Sequence, residues 1–227
     1  MNQSGVSHEP AGAPDDKGDL FGLYPNFIEK ILDQLDAISE SIAEIKANPD
    51  HPNNWKNCDF SCFELRKVCE YLTLAIVLAH HCDDGGINDL SKWRPKDLLA
   101  QVGKLSDHPT PIPISSRAAA LNDGSKQILP FSRPVRAAEI SAIYGRCSEV
   151  LHAGSLERIL DNKLPAYDVA VLEQWTEKLR ELLEHHALLL PGIKRVLLFS
   201  DRQFYVLESE GLGVLDNSDL AEFELIA

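Results

Sequence analysis

Between residues 24 and 47, the apolar positions Ile28, Ile31, Leu35, Ile38, Ile42 and Ile45 recur at steps of three and four. That period predicts an amphipathic helix with a coiled-coil-like seam, able to pack inside a bundle or to pair between subunits. The polar run "NPDHPNN" at 48–54 ends it. A second helix is predicted over 59–82, with Leu65, Val68, Cys69, Leu72, Ala75, Ile76 and Ala79 on its main face. Its second half is apolar nearly all round, the mark of a central element. "DDGG" at 83–86 closes it.

A shorter helix is expected over 94–106, with Pro95 in its first turn, where no intrahelical N–H is needed. Five prolines then punctuate 107–134, which reads as a long irregular stretch. Ile140, Ile143, Cys147, Val150 and Leu151 give a helix over 135–152. Leu172, Trp175, Leu179, Leu182 and His186 give a last one over 166–189. His185 and His186 then sit near its end, the first meeting the helix dipole and the second facing core or interface. Beyond "PG" at 191–192 the period changes. "KRVLLFS", "QFYVLES" and "AEFELIA" read as short strands of a β-meander.

The prediction is therefore a mainly α fold: a bundle of about five helices with a small C-terminal β-meander. Residues 1–20, rich in Gly, Pro, Ser and Asp, read as a disordered arm. Residues 21–190 read as the helical bundle and 191–227 as the appendage.

Composition changes this picture little, and charge changes it more. The 227 residues carry a formal net charge of −13, which repels nucleic acid and anionic membranes at long range. An anionic substrate needs a local basic patch. One is present: between His108 and Arg146, the basic residues Arg117, Lys126, Arg133, Arg136 and Arg146 face only Asp123 and Glu139, a local net charge of +3. A groove built from Arg117, Arg133 and Arg136 would present an anion-facing surface. The alternative is a solvated loop whose charges meet acids elsewhere.

Five cysteines, an odd number, and a polar N-terminus without an apolar run point to reduced thiols in a cytoplasmic protein. The longest strongly apolar run, "YLTLAIVLA" at 71–79, is too short to span a bilayer, so no membrane partner is expected. Neither metal nor cofactor is expected. No C-x-x-C pair exists, and helical rise sets His80 about 16–27 Å from Cys69 and Cys62. The cysteines read as small buried hydrophobes. Gly-rich phosphate loops, Ser–His–Asp sets and H-E-x-x-H are absent, which argues against the common nucleotide hydrolases, esterases and metalloproteases.

The candidate chemistry lies in "YGRCSEVLHAG" at 144–154, where Arg146 and His152 stand six positions apart. On a straight helix they point about 120° apart and are offset by about 9 Å. Convergence needs either a helix that ends near His152, as Gly154 favours, or a second subunit across a two-fold axis. As ordinary residues they would simply meet the helix dipole. On the second helix, Arg66 and Glu70 stand four apart and can pair on the surface, beside the motif or on a solvated face.

The helical order, "FELRKVCEYLTLA" at 63–75 and "YGRCSEVLHA" at 144–153 together resemble the HEPN superfamily over roughly residues 59–190. Those all-helical domains carry an arginine, four to six residues, then a histidine, and Arg146 with His152 fits that spacing. The resemblance implies metal-independent RNA cleavage by a homodimer whose interface gathers both copies of the motif. It also implies toxin–antitoxin or phage-defence settings, with an antitoxin or defence protein as partner, or else an inactive scaffold. Arg146 and His152 would be catalytic, and Arg66 and Glu70 supporting. Active members commonly place a polar residue directly after the arginine, whereas here it is Cys147 on the apolar face. The other class of function compatible with the chain is a non-catalytic helical dimerisation module binding a protein partner.

Overall fold

The computed structural model describes residues 22–84, 94–114, 119–120, 126–127, 135–151, 168–190, 195–208 and 224–225. Among these are five helices: α1 (Leu23–Ala47), α2 (Asn54–Asp84), α3 (Pro95–Val102), α4 (Ala137–Leu151) and α5 (Val169–Glu184). The fold is mainly α, with a small antiparallel sheet towards the C-terminus. The expected disordered arm at 1–20 lies outside the described residues.

The α1 seam is spent inside the molecule. Ile28, Ile31, Leu35 and Ile38 are fully buried, and α1 packs against α2 and α5. Gln34 donates to Glu64 and the Ser41 hydroxyl to the Asn57 carbonyl, so α1 and α2 run antiparallel. Helix α2 begins at Asn54, five residues before the predicted start at 59, and the Asn54 side-chain amide donates to the Asn48 and Pro49 carbonyls. On α2's other flank lies α4. Arg180 meets Asp36 and Lys46 meets Glu173, aligning α5 antiparallel to α1. Lys178 reaches Glu139 on α4 at 2.6 Å, while short α3 packs against α2 and α4.

The predicted last helix stops five residues early. Residues 185–190, "HHALLL", form a strand that follows α5 directly. A short apolar run has no period that separates helix from strand. Here both faces of the run are buried, as in a strand covered on both sides of its sheet. The strands are β1 (Ile112–Pro113), β2 (Ala119–Ala120), β3 (Lys126–Gln127), β4 (His185–Leu190), β5 (Arg195–Ser200), β6 (Gln203–Glu208) and β7 (Glu224–Leu225). One sheet has the order β1-β4-β5-β6, all antiparallel, with His186 opposite Phe199 and Leu188 opposite Leu197.

Two further expectations change with it. "AEFELIA" does not join the meander: β7 pairs with β3 in a separate three-stranded ribbon, β2-β3-β7. The stretch 107–134, read as irregular, contributes β1, β2 and β3. Leu188, Leu190, Leu197 and Phe199 enter the same core as the helix faces, so the main sheet packs on the bundle. Asp201 and Arg202, at φ 53° and 58°, make the tight turn between β5 and β6.

Candidate functional site

Helix α4 carries the candidate motif. Its start is fixed by Glu139, whose carboxylate accepts from the Arg136 backbone N–H at 2.9 Å and from Lys178 at 2.6 Å. Ile140, Ile143 and Cys147 are buried along its inner face. That burial fixes the rotation of the helix about its own axis. Arg146, one residue before Cys147, therefore points to solvent, with half of its side chain exposed. Its Nη1 lies 3.2 Å from the Glu149 carboxylate.

On α2, Arg66 Nε lies 3.4 Å from Glu70. The Arg66 guanidinium also sits 5.1 Å from the centre of the Tyr144 ring, a cation–π contact across the α2–α4 boundary. Arg66, Glu70 and Tyr144 thus meet along the α2–α4 boundary, while Arg146, about 200° round α4 from Tyr144, pairs with Glu149. The structure places Arg136 elsewhere: at the N-terminus of α4, exposed, paired with Glu139, and about 15 Å along the helix from Arg146. His152, Arg117 and Arg133 lie outside the described residues.

Beneath Arg146 the thiols of Cys62 and Cys147 hydrogen-bond to one another in the core. That bond, with the Arg146 charge nearby, holds Cys62 below the usual thiol value. The same bond, followed by burial, pushes Cys147 up. Burial raises Cys69 to about 12. All five cysteines are buried free thiols, as small core residues.

His185 stands at the helix terminus as expected, as the C-cap of α5. It opens β4, and its Nδ1 lies 2.9 Å from the Ser200 hydroxyl across the strand pair. That hydroxyl donates to Asp201, so serine stands between histidine and carboxylate and no hydrolytic triad forms. His186 is a core residue, its Nε2 2.8 Å from the Tyr24 hydroxyl. His80 is also buried, bonded to the Pro109 carbonyl. Among the described residues, no three His, Cys, Asp or Glu side chains are grouped to hold a metal ion. Among the same residues, no helix is long and apolar enough to cross a membrane.

Sequence reasoning missed the aromatic surroundings. Trp55, Phe60 and Phe63 on α2 are 53%, 42% and 49% exposed, and Tyr144 on α4 carries the Arg66 guanidinium. A helical wheel of α2 contains the signal, because Phe60 and Phe63 fall opposite Leu65, Cys69 and Leu72. No protein-family model, curated protein or solved structure matches the chain significantly.

Proposed function

We propose that this chain is a HEPN-like protein acting on RNA through Arg146 and His152, as a metal-independent endoribonuclease. The observation that supports this reading is the outward Arg146 guanidinium, set on a helix whose rotation the buried Cys147 fixes. A surface pair such as Arg146–Glu149 is worth no more than about 1 kcal/mol, so a phosphate can compete for the guanidinium. The two N–H groups of one guanidinium edge suit two phosphate oxygens.

RNA supplies its own nucleophile. The 2′-hydroxyl attacks the adjacent phosphorus as His152 takes its proton, a role that fits a histidine's ordinary value near neutrality. The P–O5′ bond breaks, leaving a 2′,3′-cyclic phosphate and a 5′-hydroxyl that takes up a proton. Arg146 stabilises the charge that grows on the phosphoryl oxygens. Arg66, held over Tyr144, sets the local potential from the side. The toxin–antitoxin or defence setting, with its protein partner, follows from the same resemblance.

The test is cleavage of RNA in the presence of EDTA, followed by mapping of the ends. Arg146→Ala and His152→Ala should each abolish cleavage while leaving the thermal midpoint unchanged. Full activity in both variants overturns the reading. The exposed aromatics of α2 favour the second reading, a non-catalytic interaction module, which predicts no cleavage by the wild-type chain.

A further inference from the structure

We propose that Cys62 on α2 and Cys147 on α4 are a peroxide-sensitive dithiol, which hydrogen peroxide converts to a disulfide that locks the two helices together. The site is argued from the α2–α4 contact alone and stands whether or not the protein cleaves RNA.

The helix register brings the two sulfurs together. Cys62, Arg66 and Cys69 recur at steps of four and three, so they share one flank of α2. That flank meets α4. The Arg66 guanidinium lies over the Tyr144 ring, and the Cys69 thiol meets the Tyr144 backbone. One turn further along α4, and back along α2, the Cys62 and Cys147 thiols hydrogen-bond to one another. Positions fall on α2 as they rise on α4, so the thiol pair belongs to the antiparallel register of the two helices. Cys62 has no such access to Cys69, which lies about 10 Å further along the same helix.

The thiols at this boundary are not alike. Burial raises Cys58 and Cys69, while the bond to Cys62 and then burial raise Cys147. Cys62 is lowered, first by the Cys147 S–H and then by the Arg146 charge, against its burial. A thiolate is the form that peroxides oxidise, so Cys62 is the sulfur attacked first. Burial selects the oxidant. Cys62 is 2% exposed and Cys147 fully buried, which admits a small neutral peroxide and shuts out a bulky disulfide reagent.

The chemistry closes on these two residues. The Cys62 thiolate attacks one peroxide oxygen and the O–O bond breaks. The departing hydroxide takes up the proton Cys62 gave up and leaves as water, and Cys62 becomes a sulfenic acid. The Cys147 sulfur then attacks the Cys62 sulfur. The S–O bond breaks, and the Cys147 proton leaves with the hydroxyl as a second water. Two thiols have lost two electrons and two protons, and one peroxide has become two waters. The new bond closes a loop of more than eighty residues, which restricts the unfolded chain and pins the helix that carries Arg146.

The experiment treats the reduced full chain with hydrogen peroxide, alkylates the remaining thiols in denaturant and maps the peptides by mass spectrometry. Free thiols should fall from five to three, and one cross-linked peptide pair should join Cys62 to Cys147. The thermal midpoint of the oxidised chain should rise by about 5 °C or more, and dithiothreitol should reverse both changes. Cys147→Ala should leave Cys62 as a sulfenic acid that dimedone traps. Cys62→Ala should keep its other thiols reduced at the same peroxide concentration. Circular dichroism confirms that both variants fold. Five thiols surviving in the folded wild type overturn the proposal. So does a bond from Cys62 to Cys58, a bond between two chains, or an oxidised chain no more stable than the reduced one.

Discussion

The Tyr24 hydroxyl lies 2.8 Å from His186 Nε2, joining the first turn of α1 to β4 of the main sheet. The other ring nitrogen, Nδ1, lies 3.0 Å from the Leu183 carbonyl, which can only accept. Nδ1 therefore carries the proton, and Nε2 accepts from Tyr24. Phe199 stacks on the ring at 5.5 Å. Tyr24→Phe removes the donor and leaves a buried nitrogen without a partner. That should cost about 1–3 kcal/mol in urea denaturation, whereas Tyr205→Phe on the exposed edge should cost almost nothing.

Burial holds both His186 and His80 down to about 4, against about 6.5 in an unfolded chain. Between those values the unfolded chain binds protons that the folded one does not. Stability should thus be full above pH 6.5 and fall as the pH drops towards 4, by up to about 3 kcal/mol per histidine. Urea midpoints measured at pH 7.5, 5.5 and 4.5 check this. A flat profile would show that the two rings are not buried as neutral groups.

Glu139 both caps α4 and anchors Lys178. Glu139→Ala should lower stability by about 1 kcal/mol, the usual cost of a lost cap. Glu139→Gln, which keeps the acceptor, should recover most of that in thermal unfolding. The remainder measures the Lys178 pair.

The β5–β6 turn places two side-chain-bearing residues, Asp201 and Arg202, at positive φ. Asn–Gly suits such a turn better, and replacing Arg202 relieves about 1 kcal/mol of backbone strain. Arg202 stands 3.4 Å from Asp33 in an exposed pair, whose loss costs only about 0.5 kcal/mol. Asp201→Asn combined with Arg202→Gly should therefore raise the melting temperature by roughly 1–3 °C. A lowered Tm would show that the Arg202 pairs outweigh the strain.

The helices were legible where one face alone is apolar. Ile28 to Ile45 and Ile140 to Cys147 declare their period, and both segments are helical. "HHALLL" was not legible, because consecutive apolar residues satisfy either period and only the β5 partner decides. The pairing of β7 with β3 is equally invisible, resting on a contact nearly a hundred residues distant. Of the candidate site, the outward direction of Arg146 follows from Cys147 facing inward, one residue later. The approach of Arg66 to Tyr144 does not, since it depends on how α2 and α4 are aligned in three dimensions.

Helix α5 passes into β4 with no residue between Glu184 and His185. There is accordingly no seam at which the chain can be cut between bundle and sheet. A fragment ending at Glu184 would lose the partner of Tyr24 and strip Leu188, Leu190, Leu197 and Phe199 from the core at once. Deleting the C-terminal strands to simplify expression would leave a sticky, half-lidded bundle, and fusion partners belong at the chain ends instead.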